Sequence, residues 1–203
     1  RNKHYIGTRN MTSILKVDEI QSKSGNGVSA DLGKGQVLEI LSSPCDGSSV
    51  TVGSGTYSFE NITADQGLTT SYADVTGSSM AYTPPSGTSS VIYNFGFHHS
   101  RKDTQVYSSF RFYIDSDEVV YARRQLSADL LDTFSYFSWT INIGGTPNTN
   151  TGRLASWTSA KTLKMEAREY NSSYEGALHK SQHWDGTGTD MFMMPVLTIT
   201  AIR

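Results

Sequence analysis

Val91, Tyr93, Phe95 and Phe97 recur at every second position, and beyond a polar turn Val106, Phe110, Phe112 and Ile114 share one parity, interrupted by Ser108. Alternation with a period of two marks strands that bury one face. The spacing predicts two long strands, joined as a hairpin at residues 100–104, with the rest of the chain packed around them. The aromatics among the inward positions each bury a large apolar area, enough to nucleate a sheet-on-sheet core.

Shorter alternating runs surround this stretch. Val50 and Val52, a Gly53-Ser54-Gly55 turn, then Tyr57 and Phe59 predict a small hairpin. Leu68, Tyr72, Val75, Met80 and Tyr82 lie between turn residues, and Pro84-Pro85-Ser86-Gly87 halts that run. Downstream, residues 119–121 read as a short strand and residues 130–143 as a long one with Phe137, Trp139, Ile141 and Ile143 on a shared face. Residues 162–170 suit either a short helix or a strand with Leu163, Met165 and Ala167 inward; strand is the reading adopted. Strands at 178–184 and 191–202 complete the set. The last carries apolar side chains on both parities, which predicts cover on both faces, either by an overlying loop or by another subunit, with Leu197 and Ile199 as candidate interface residues.

The expected architecture is an all-β, antiparallel, jelly-roll-like sandwich over residues 64–203, a β-hairpin connector over 42–63 and an extended N-terminal arm over 1–41. The arm has too few apolar residues for a core of its own, and its apolar positions Ile14, Val17 and Ile20 are candidate interface residues. The 203 residues carry a formal net charge of -2 with scattered charges, so no footprint for nucleic acid is visible. No stretch approaches the roughly 20 apolar residues that cross a bilayer, and the N-terminus lacks a secretion signal's apolar core, so a soluble chain without membrane insertion is expected. Cys45 is the single cysteine and reads as a small buried apolar residue.

Candidate chemistry is sparse. His179 and His183 have a spacing that would suit a metal on a helix, but four residues along a strand separate the rings by about 13 Å, and His98 and His99 point to opposite faces. Asp115, Asp117 and Glu118 form a short acidic turn that reads as solvated rather than as a calcium loop or an acid–base pair. The chain has no G-x-S-x-G elbow and no phosphate-binding loop. No catalytic residue, metal site or cofactor is expected. Trp157 and Trp184 are candidate glycan-stacking residues.

Two blocks of sequence resemble a known family. Residues 11–21, M-T-S-I-L-K-V-D-E-I-Q, resemble the N-terminus of tail-fibre-like virion structural proteins of tailed phages, especially those infecting aquatic cyanobacteria. Residues 67–78 (G-L-T-T-S-Y-A-D-V-T-G-S), 82–87 (Y-T-P-P-S-G), 112–119 (F-Y-I-D-S-D-E-V), 184–191 (W-D-G-T-G-T-D-M) and 195–202 (P-V-L-T-I-T-A-I) are similar to the C-terminal domain of the same proteins. The resemblance implies a non-enzymatic virion component, commonly a homotrimer. Its N-terminal arm would hold other virion proteins of the capsid or tail, and its β-domain would face outward. No repetitive shaft separates arm from domain, so a short spike-like appendage or capsid decoration is expected rather than a long fibre. The alternative is a carbohydrate- or receptor-binding module that mediates host adsorption through a surface glycan.

Overall fold

The computed structural model of the chain describes residues 35–101, 105–128, 132–182 and 190–203. Its strands, in order, are β1 (Val37–Pro44), β2 (Ser49–Val52), β3 (Gly55–Ser58), β4 (Gln66–Gly67), β5 (Ala73–Asp74), β6 (Met80–Tyr82), β7 (Ser90–Arg101) and β8 (Val106–Ile114). These are followed by β9 (Asp117–Glu118), β10 (Arg124–Ala128), β11 (Thr133–Asn142), β12 (Lys161–Glu169), β13 (Gly176–Leu178), β14 (Lys180–Gln182), β15 (Asp190–Phe192) and β16 (Val196–Ile202). All strand pairs are antiparallel, and the fold is the expected jelly-roll-like β-sandwich.

The first sheet runs β1-β16-β7, with β11 on the other edge of β7 and β13-β4 extending it beyond β16. The second runs β10-β8-β12, with β5 and β6 along the far side of β12 and β9 against the end of β8. The hairpin expected at residues 90–114 does not form. β7 belongs to the first sheet and β8 to the second, and their apolar faces meet across the sandwich: Tyr93 lies 4.9 Å from Phe112, and Phe97 lies 5.4 Å from Phe110, centroid to centroid. Alternation fixes which side chains are buried but not whether two successive strands share a sheet or face each other.

Three further details depart from expectation. Residues Val120–Ala122 form a 3-10 turn, with Val119 and Ala122 buried. The expected strand at 178–184 breaks at His179, which adopts a left-handed conformation (φ 62°) between β13 and β14. The last strand is interrupted as well, and only β16 joins the main sheet. Residues 162–170 do form a strand, β12, with Leu163, Met165 and Ala167 all buried. Val37–Leu41, read as part of the arm, are instead the start of β1 and pair with β16.

The core is aromatic. Tyr93, Phe112 and Phe137 pack within 6.0 Å of one another, and Phe95 stacks on Phe97 at 5.4 Å. A buried polar knot closes one end. The Glu39 carboxylate on β1 accepts hydrogen bonds from the Tyr82 hydroxyl (2.6 Å), the Ser54 hydroxyl (2.6 Å) and the Ser54 N–H (3.0 Å). The β2–β3 hairpin is thereby tied to both sheets, with Tyr57 donating to the Thr83 carbonyl at 3.0 Å.

Candidate functional site

The two outer faces of the sandwich have opposite chemistry. On the first sheet, cross-strand rows read Ile40–Thr200–Ile92–Thr140, then Ser42–Thr198–Asn94–Ser138, then Pro44–Val196–Gly96–Tyr136. None of these outward positions carries a formal charge. Ile40, Val196, Phe134 and Tyr136 are exposed, the last two by 61% and 62%. Gly96 lets the aromatic pair lie down on the sheet, because a Cβ there would meet the Phe134 ring at 3.0 Å. His98 lies edge-on to Phe134 at 5.4 Å and extends the patch. The face is therefore neutral and rich in β-branched residues.

The outer face of the second sheet is ionic. Lys164 pairs with Asp74 (2.6 Å) and Glu166 (3.1 Å), and Glu118 receives Arg123 (2.6 Å) and Arg111 (3.6 Å). The Arg111 guanidinium also covers the Tyr72 ring at 3.8 Å, with Arg168 at 5.3 Å from the same ring. Exposed ion pairs of this kind mark a solvated face. The contrast singles out the first sheet's outer face as the candidate interaction surface.

The residues singled out in the sequence fall as follows. Leu197 and Ile199 lie on the inner face of β16, 1% and 0% exposed, so they belong to the chain's own core and cannot contact a second subunit. Their outward neighbours Val196, Thr198 and Thr200 occupy the neutral face instead. Trp157 is 6% exposed, packs edge-on to Tyr82 at 6.0 Å and donates its indole N–H to the Tyr82 carbonyl at 3.2 Å, which removes it as a glycan platform. Ile14, Val17, Ile20 and Trp184 lie outside the described residues. Ile40, Phe134 and Tyr136 are not among those candidates, although their parity, opposite to that of Leu41 and Phe137, places them on the outer face.

The polar candidates serve structure. His99 is buried and sits 2.8 Å from the Ser108 hydroxyl, and burial outweighs the nearby Asp132 carboxylate to push its pKa down to about 4. His179 is buried too. Its Nε2–H donates to the Thr76 carbonyl at 3.0 Å, and burial pushes its pKa down to about 4. Partial burial works against ionisation of Asp115, yet bonds from Lys161 Nζ (2.7 Å) and the Thr162 N–H (2.9 Å) hold its pKa below the usual value. Bonding from Arg123 does the same for Glu118. These carboxylates are committed to ion pairs and stay ionised, the wrong state for a general acid. No group of three His, Cys, Asp or Glu side chains able to hold a metal occurs among the described residues.

No family model matches the sequence, and neither does any curated protein. Among solved structures the chain is similar to "Structure of infectious bursal disease virus Gx strain", at 11% identity and a TM-score of 0.35. The match covers 81% of this chain and 36% of that one, so the chain spans little more than a third of that structure's length.

Proposed function

We propose that this chain is a non-enzymatic structural protein of a tailed-phage particle, a short surface appendage or decoration assembled as a homotrimer. The neutral outer face of the first sheet is the observation that carries self-association. Identical copies meeting through a face without charges bring no like charges together, whereas the ionic face of the second sheet would have to desolvate its ion pairs. Exposed Ile40, Val196, Phe134 and Tyr136 supply the apolar and aromatic area from which interface centres are built. The phage assignment rests on the sequence motifs at residues 11–21, 67–78, 82–87, 112–119, 184–191 and 195–202. In this reading the segment around Ile14, Val17 and Ile20 attaches the trimer to capsid or tail proteins, and the sandwich faces outward.

The particle assignment is tested by peptide mass spectrometry of density-purified phage that encode the chain, with immunogold labelling to locate it. Stoichiometric recovery with surface labelling is expected. A chain found only in the infected-cell lysate, and absent from purified particles, contradicts the assignment.

A further inference from the structure

A groove of about 600 Å³ opens beside the edge of the second sheet, between β8, β10 and the turn that follows β12. Its size is that of a small-molecule site, for which roughly 300–1,000 Å³ is usual. Three tyrosines frame it. Tyr107 on β8 and Tyr170 just beyond β12 are 43% and 64% exposed, and Tyr174 joins both, with ring centroids 4.9 Å from Tyr107 and 5.9 Å from Tyr170. Between them, the cross-strand pairs Ser109–Gln125 and Tyr107–Ser127 present hydroxyl and amide groups. None of the lining residues among those described carries a formal charge.

We infer that this groove binds a neutral oligosaccharide. The C–H face of a pyranose is apolar and flat, and its rim is a ring of hydroxyls. An exposed tyrosine face matches the first, while serine hydroxyls and a glutamine amide, each able to donate and accept, match the second. The described lining has no ionised group to balance a charged sugar or a phosphate.

The rings are also held before any ligand arrives. Tyr170 is anchored by its own N–H, which donates to the Tyr107 carbonyl at 2.8 Å, so the two ring-bearing backbones are bonded directly. The Asn171 side chain closes the next turn by accepting the Ser173 N–H at 2.9 Å, and the Tyr174 N–H donates to the Asn171 carbonyl at 3.0 Å. Edge-to-face packing of Tyr174 with both partners fixes the cluster further. Tyrosine, with two side-chain torsions, loses little freedom on binding.

The inference stands on the groove alone and is independent of any place in a phage particle. The full chain would be applied to an array of defined neutral and charged oligosaccharides, and retained sugars titrated by calorimetry against the wild type and the variants Tyr170→Ala, Tyr174→Ala, Tyr170→Phe and Tyr121→Ala. Tyr121 is 63% exposed and outside the groove, so it controls for loss of any surface tyrosine. Neutral glycans should be retained, with affinity falling about tenfold or more in each groove alanine variant. Tyr170→Phe, which keeps the stacking face, and Tyr121→Ala should stay within about threefold of wild type. Silence across the array, retention of charged glycans alone, or equal binding by the wild type and both groove alanine variants would overturn the inference.

Discussion

Buried polar side chains decide much of this molecule's behaviour one residue at a time. His99 and His179 both have pKa values of about 4 in the fold, against an ordinary 6.5. Below pH 6.5 the unfolded chain takes up protons that the folded chain refuses, so stability is full above that pH and falls as pH drops toward 4. The loss is on the order of 3 kcal/mol for each histidine. Urea unfolding midpoints measured from pH 7.5 to 4 should therefore decline, and His99→Gln should flatten the decline. A midpoint constant across that range would contradict the burial of both rings. Cys45 gives a simpler check. It is fully buried, donates its thiol hydrogen to the Gly77 carbonyl at 3.3 Å and has its pKa pushed up to about 12, chiefly by burial. Thiol reagents at pH 8 should modify it only as fast as the sandwich opens, with denaturant raising the rate by orders of magnitude.

At the scale of elements, the sandwich depends on side chains that join strands of different sheets. Phe112 on β8 contacts both Tyr93 on β7 and Phe137 on β11, so Phe112→Ala should cost about 3–5 kcal/mol in chemical unfolding. Glu39 joins β1 to the β2–β3 turn and to β6, and Glu39→Ala would leave the buried Tyr82 hydroxyl without its acceptor and the half-buried Ser54 hydroxyl with Tyr57 alone. A loss of about 2–3 kcal/mol is expected from the same measurement. The same cross-sheet contacts explain what could be read in the sequence. Period-two alternation identified the inward faces of β7, β8, β11 and β12 because burial acts residue by residue. It misplaced the β7–β8 connection because strands that pair and strands that face each other bury the same parity. It also set Leu197 and Ile199 at a subunit boundary, since apolar residues on both parities of the terminal run resembled a two-sided strand. The structure separates β15 from β16, and in β16 only Leu197, Ile199 and Ala201 are buried, while Val196, Thr198, Thr200 and Ile202 form the outward parity. The tyrosine groove left no such mark, because Tyr107, Ser109, Gln125 and Tyr170 come from three separate segments that only the fold brings together.

For the molecule as a whole, the asymmetry between its faces is the governing fact. One outer face holds ion pairs of Lys, Arg, Asp and Glu, and the other holds Thr, Ser, Asn, Ile, Val and two exposed aromatics. A surface of the second kind is suited to lie against another protein surface, and the most available partner in an assembly is a further copy of the same chain. Sedimentation equilibrium of the full chain and of Thr200→Lys, with circular dichroism to confirm that the fold is kept, tests this most directly. Thr200 lies on the neutral face, paired with Ile40 and Ile92, so a lysine there would bury an unpaired charge in the interface without touching the core. The wild type should sediment as a trimer of the 22.3 kDa chain, and Thr200→Lys as a folded monomer. A wild-type monomer, or a trimer that Thr200→Lys leaves intact, would contradict the assignment of that face to self-association.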